Sequence, residues 1–125
     1  MLPILVVDDD AAIRRIAARA LSSSGFEVLQ ARDGAAAVEI LERVPAGMQL
    51  VITDLRMPRM RGVELIRVLR ERWPGTPVIV MTGYSDERVI AGQLLGSTPK
   101  VVEKPFTLAE LDAAVRTVLG IASAA

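Results

Sequence analysis

Apolar runs of four to six residues alternate along the chain with stretches whose apolar positions recur at helical spacing. The runs fall at 2–7, 27–31, 50–53, 77–81 and 100–103 and are rich in Val, Ile and Leu. Unbroken apolar runs of this length suit strands covered on both faces. The last run contains Lys100 and Glu103, which fits a sheet edge, where charge discourages pairing with a further strand.

Five helices are predicted between and after these runs. In the first, Ile13, Ile16, Ala17, Ala20 and Leu21 define one apolar face, with Asp10 placed to cap its start and Gly25 to end it. The second, 35–44, stops before Pro45 and the third, 63–73, before Pro74, because a residue preceding proline is pushed out of the helical region. The fourth, 86–95, contains Gly92 and ends at Gly96. An interior glycine costs about 1 kcal/mol relative to alanine, so this helix is expected to be the least stable. The fifth opens on Thr107-Leu108-Ala109-Glu110, a capping box, with Phe106 and Leu111 spaced as a hydrophobic staple. Its expected buried face is Leu111, Val115, Val118 and Leu119. Strict alternation of strand and helix implies an α/β fold, a parallel sheet with helices on both faces and right-handed crossovers. No repeat or low-complexity linker interrupts it, and 122–125 read as a frayed tail.

At 125 residues the chain fits a single domain, 1–125, able to bury about two-thirds of its unfolded surface without a disulfide or structural metal. Aromatic residues are 3%, so Val, Leu, Ile and Ala must build the core. Lys plus Arg equals Asp plus Glu, 15 each, which argues against direct nucleic-acid binding. Cysteine and histidine are both absent. Disulfides, thiol chemistry, imidazole bases, Cys- or His-ligated metals and an internal phosphohistidine are therefore excluded, and carboxylates, hydroxyls and lysine remain. No apolar run reaches the roughly 18 residues of a membrane span, and the N-terminal run lacks a basic lead and meets Asp8-Asp9-Asp10 at once. The expected setting is cytoplasmic, without membrane contact.

In an open α/β sheet, ligands bind beyond the carboxyl ends of the strands. Asp8-Asp9-Asp10 follows the first strand, Asp54 the third, Thr82-Gly83 the fourth and Lys104-Pro105 the fifth. Each piece has an ordinary reading: a helix cap, a turn carboxylate, a turn hydroxyl, a surface lysine. Together they gather carboxylates, a hydroxyl and an ammonium on one rim. Carboxylates packed closely repel, and a hard divalent cation such as Mg²⁺ relieves this with oxygen ligands. A carboxylate is also a competent nucleophile in phosphoryl transfer, and Lys104 with the cation would balance the charge on the phosphoryl group.

In these stretches the chain resembles the response-regulator receiver family: Ile4-Leu5-Val6-Val7-Asp8-Asp9-Asp10, Asp33-Gly34, Ile52-Thr53-Asp54-Leu55-Arg56-Met57-Pro58, Met81-Thr82-Gly83-Tyr84 and Glu103-Lys104-Pro105-Phe106. The resemblance implies a flavodoxin-like five-stranded sheet in the order 2-1-3-4-5, with Asp54 as phosphoacceptor in two-component signalling. It implies that Asp9 and Asp54 bind Mg²⁺ directly, Asp8 through a water, and the Arg56 carbonyl as a further ligand. Thr82 would be the switch hydroxyl and Lys104 the partner of the phosphoryl oxygens, with a cis bond between Lys104 and Pro105. The donor would be a histidine kinase or phosphotransfer protein, since this chain holds no histidine. The output would be a shift in the face formed by the fourth helix, fifth strand and fifth helix, read by a downstream protein or effector domain. Such a domain is a switch, not an enzyme acting on a separate substrate, although it promotes its own phosphorylation and slow dephosphorylation.

Arg61 stands where many members place an acid, Val101 where many carry Tyr or Phe, and Gly83 where Ala is commoner. Without an aromatic at Val101, no rotating ring can report a Thr82 shift. Arg56 and Tyr84 are large residues at positions that tune phosphoryl lifetime in the family, which points to slow self-hydrolysis. Arg56, Arg59, Arg61, Arg67, Arg70 and Arg72 form a basic stretch, read first as a solvated face and alternatively as a steering surface for an anionic donor. Three rivals are weaker. A haloacid-dehalogenase-like phosphatase expects a second Asp where Arg56 stands. A receiver used only as a scaffold has no need of Asp9, Asp54, Thr82 and Lys104 together. A nucleotide-binding fold would carry one of the glycine signatures, and neither is present. The Met-Thr-Gly-Tyr and Glu-Lys-Pro-Phe stretches are similar to receivers of hybrid kinases.

Overall fold

The computed structural model describes residues 2–55, 62–82 and 100–121. The elements run β1 (Ile4–Val7), α1 (Ala11–Ser23), β2 (Val28–Ala31), α2 (Gly34–Arg43), β3 (Leu50–Asp54), α3 (Gly62–Arg72), β4 (Val78–Thr82), β5 (Lys100–Glu103) and α4 (Leu108–Leu119). The label α4 thus denotes the fifth helix expected from the sequence, and the expected helix at 86–95 lies outside the described residues. All strand pairings are parallel, in the order β2-β1-β3-β4-β5. This is the expected flavodoxin-like order, and β5 occupies the edge that Lys100 and Glu103 suggested.

The strands of the sheet's centre are apolar on both faces because both faces are covered. Ile4 and Val6 of β1 join Ala17, Leu21, Ile52, Leu111 and Val115 in one core beneath α1 and α4. Leu5 and Val7, pointing the other way, join Leu41, Val51, Leu65 and Leu69 in a second core beneath α2 and α3. Side chains on a strand alternate sides, so four consecutive apolar residues supply both cores. A smaller cluster of Leu55, Ile66 and Val80 is flanked by Val101, which packs there half-buried in place of a mobile ring.

Local signals hold the helices. The Asp10 carboxylate accepts the Ala12 N–H at 2.9 Å, and Asp33 caps α2 by accepting the Ala36 N–H at 2.8 Å. The capping box of α4 is complete: Glu110 N–H donates to Thr107 Oγ1, and Thr107 N–H donates to Glu110 Oε1, both at 3.1 Å. Gly120 ends α4 in the left-handed region at φ 68°, where glycine has no steric penalty. One expectation fails. Ile16 is 46% exposed, because α1 turns Ala17 and Leu21 to the sheet. At about 100° per residue, the neighbour of Ala17 necessarily points well away from that direction.

The end of α1 is joined to α4 by a hydrogen bond from the hydroxyl of Ser24 to a carboxylate. Asp112 accepts Ser24 Oγ at 2.8 Å and Arg116 Nε at 2.8 Å. The Ser24 bond, then that from Arg116, hold the Asp112 carboxyl below its ordinary 3.8. A carboxylate whose folded pKa is depressed stabilises the fold above its unfolded pKa and loses that contribution as pH falls through the folded value. Asp112→Ala should cost about 1 kcal/mol at neutral pH, read from urea midpoints. The gap from the wild type should persist at neutral pH and close as pH falls below 3.8.

Candidate functional site

Strands β1 and β3 are neighbours in register, Val7 opposite Thr53, so the residue after each comes off the same rim of the sheet. That residue is Asp8 on one strand and Asp54 on the other, both buried. Asp9 lies beside them and is exposed. One carboxylate oxygen from each of Asp8, Asp9 and Asp54 lies within 4.8 Å of the others. The chain delivers Lys104 from beyond β5. Its Nζ donates to Asp8 Oδ2 at 2.7 Å and to Asp54 Oδ2 at 3.0 Å. The Lys104–Pro105 bond is cis, as expected.

Asp10, third in the acidic run, takes the ordinary role of capping α1. Its backbone N–H turns back to Asp8 Oδ1 at 2.9 Å. Leu55 N–H donates to Asp54 Oδ1 at 2.7 Å. Thr82 ends β4, one residue beyond Met81, the register partner of Asp54, and is buried. Its carbonyl accepts the Lys104 N–H at 3.3 Å, which ties the end of β4 directly to the lysine. Asp8, Asp9, Asp54 and Lys104 are thus brought together, with Thr82 on the adjoining strand. Arg56, Arg59, Arg61, Gly83 and Tyr84 lie outside the described residues. Among the α3 arginines, Arg72 pairs with Glu42 at 3.1 Å and lies 4.4 Å from the Trp73 ring centre, as the solvated-face reading expects.

Arg14 was not anticipated as a site residue. From α1 its Nη1 donates to the Asp8 carbonyl at 2.7 Å, a bond across a strand–helix turn with no signature in sequence spacing.

Among the described residues, three carboxylates face one ammonium. Burial raises the Asp8 pKa above 3.8, against the bonds from Lys104 and the Asp10 N–H, and the nearby Asp54 charge adds to the rise. Burial works against the charged form of Lys104, but the bonds to Asp8 and Asp54 outweigh it and raise its pKa above 10.5. The ammonium is therefore firmly charged and still leaves an anionic surplus. Close-set oxygen donors with surplus negative charge fit a hard divalent cation.

The response regulator receiver domain model matches residues 4–116. This chain belongs to the response regulator receiver family. The receiver domain is 40% identical over 119 residues to the transcriptional regulatory protein FixJ of Azorhizobium caulinodans, covering 95% of this chain and 56% of that protein. It is 33% identical over 116 residues to the sensor kinase CckA of Brucella abortus, covering 93% of this chain and 12% of that protein. Among solved structures, the chemotaxis response regulator CheY4 of Vibrio cholerae aligns with a TM-score of 0.84 at 29% identity, over 94% of this chain and 98% of that one. The chain spans about half the length of FixJ and a small part of CckA. The general role of the family is to accept a phosphoryl group in two-component signalling. Among the described residues of the receiver domain, no helix is long and apolar enough to cross a membrane.

Because Asp8 holds its proton above the ordinary carboxylate value, protons compete with a cation there sooner than at an exposed carboxylate. Calorimetric titration with a divalent cation should show affinity falling as pH is lowered while still above 3.8. Lys104→Met, which removes the competing ammonium, should bind the cation severalfold more tightly at neutral pH.

Proposed function

We propose that Asp54 is the phosphoacceptor of this receiver domain and that residues 1–125 act as one phosphorylation switch. The observation that supports the reading most directly is the buried Asp54 carboxylate, sharing the Lys104 ammonium with Asp8 at the rim of the sheet. An oxygen of Asp54 attacks phosphorus of the donor phosphohistidine. The P–N bond breaks, and its electron pair leaves with the imidazole of the donor, which belongs to a histidine kinase or phosphotransfer protein. Asp9, Asp54 and the Arg56 carbonyl would hold Mg²⁺, with Asp8 through a water, and the bound cation would supply charge compensation for the transferring phosphoryl group. Lys104 exchanges its hold on the two carboxylates for a phosphoryl oxygen, and the Thr82 hydroxyl donates to another.

The phosphoryl group adds about −1.5 to −2 of charge at this rim. Thr82 and Lys104 lie at the ends of neighbouring strands, linked through the backbone, so drawing both inward shifts β4, β5 and the segments after them. The expected helix at 86–95, β5 and α4 would form the face a downstream protein or effector domain reads. With Val101 packed on Val80 and Ile66, that output runs through backbone movement and not through a ring. The setting is cytoplasmic, and loss of the phosphoryl group by self-hydrolysis is slow.

Incubation with acetyl phosphate and Mg²⁺ should add one phosphoryl group to the intact chain, seen by mass spectrometry. Chelation of the metal, or Asp54→Asn, should abolish it. The labelled chain should keep the group for minutes; loss within seconds would show that Arg56 and Tyr84 do not shield it. A wild-type chain that never takes label would leave a scaffold as the better reading.

A further inference from the structure

The peptide unit that joins Asp54 to Leu55 is held at its carbonyl by one hydrogen bond and is packed against the first residue of α3. Thr53, fully buried on β3, donates its hydroxyl to the Asp54 carbonyl at 2.8 Å. Gly62, the first residue of α3, lies against the same unit, and its N–H donates to the carbonyl of the next one, that of Leu55, at 3.2 Å. A Cβ on Gly62 would lie 2.6 Å from Leu55 Cα and 3.0 Å from the Asp54 carbonyl carbon, with the Asp54 carbonyl oxygen closer still. Those neighbours are backbone and cannot swing aside, so only glycine permits this approach.

The other end of that peptide unit is the Leu55 N–H, which donates to Asp54 Oδ1 at 2.7 Å. A peptide is planar, so fixing the carbonyl end also aims the N–H. Asp54 Oδ2 meets Lys104 at 3.0 Å. The two oxygens of one carboxylate are thereby made different, one held by backbone, the other by the ammonium.

We propose that Thr53 and Gly62 are positioning residues, which lock the 54–55 peptide plane so that its N–H holds the Asp54 carboxylate in its reactive orientation. The proposal rests on Asp54 being the phosphoacceptor. Neither residue touches the phosphoryl group. Thr53 acts through the Asp54 carbonyl, and Gly62 acts by leaving room for the unit to seat. The start of α3 is thus coupled to the acceptor, and a methyl group at that contact must push the 54–55 unit by several tenths of an ångström.

Three variants of the whole chain test this. Thr53→Val keeps shape and removes the hydroxyl, Thr53→Ser keeps the hydroxyl, and Gly62→Ala adds the methyl. Two quantities are read: the rate of labelling by acetyl phosphate with Mg²⁺, and the proton shift of the Leu55 amide by nitrogen-15 NMR. The amide shift reports the bond to Asp54 without any phosphoryl transfer. Thr53→Val should move the Leu55 amide upfield and slow labelling on the order of tenfold, and Gly62→Ala should slow it on the order of a hundredfold. Thr53→Ser should restore both quantities. If Thr53→Val leaves the Leu55 amide and the rate unchanged, or if Thr53→Ser falls as far as Thr53→Val, the clamp is overturned while the acceptor reading stands. A wild-type chain that takes no label overturns the acceptor reading and the positioning role with it. Should Gly62→Ala fail to fold, the two Thr53 variants decide alone.

Discussion

The ammonium of Lys104 lies between two carboxylates that the fold has taken out of water. Burying a charge is costly unless it is paired, and here Asp8 and Asp54 share one partner that reaches them from beyond β5. That sharing holds together three segments that lie far apart in the chain, and it leaves an excess of negative charge for which a cation is the natural complement.

The sheet exists in the form that makes this possible. Because every strand runs in the same direction, every strand's carboxyl end opens on the same rim, and the loops that leave those ends carry the chemistry. The apolar alternation of β1 and β3 fills the cores on both faces, so the rim is the one place where those strands turn polar. The two ends of the sheet differ accordingly: α3 begins against Asp54 and ends at Arg72, with Trp73 just beyond it, far from the site.

The backbone shares the work of the side chains. Asp8 is held through both its carboxylate and its carbonyl, by Lys104, the Asp10 N–H and Arg14. Asp54 is held through both its oxygens and, by way of Thr53 and Gly62, through its own peptide unit. Groups fixed at this many points lose little freedom on meeting a substrate, which is how a small site gains reactivity.

Much of this was legible in the residues alone. Unbroken apolar runs announced buried parallel strands, the Thr107 capping box placed the start of α4, and the positions of Asp8, Asp9, Asp54, Thr82 and Lys104 at strand ends marked a shared rim. These signals are local, since alternation, capping and turn chemistry act over a few residues. Other features were decided only by the tertiary structure. Which stripe of α1 faces the sheet, and so the exposure of Ile16, depends on how the helix is rolled against β1. That Arg14 reaches the Asp8 carbonyl, and that Gly62 touches the Asp54–Leu55 peptide, depends on how closely each helix packs back against the end of the strand before it. Residue spacing carries no information about such approaches, because they are set by the packing of whole elements across the two cores.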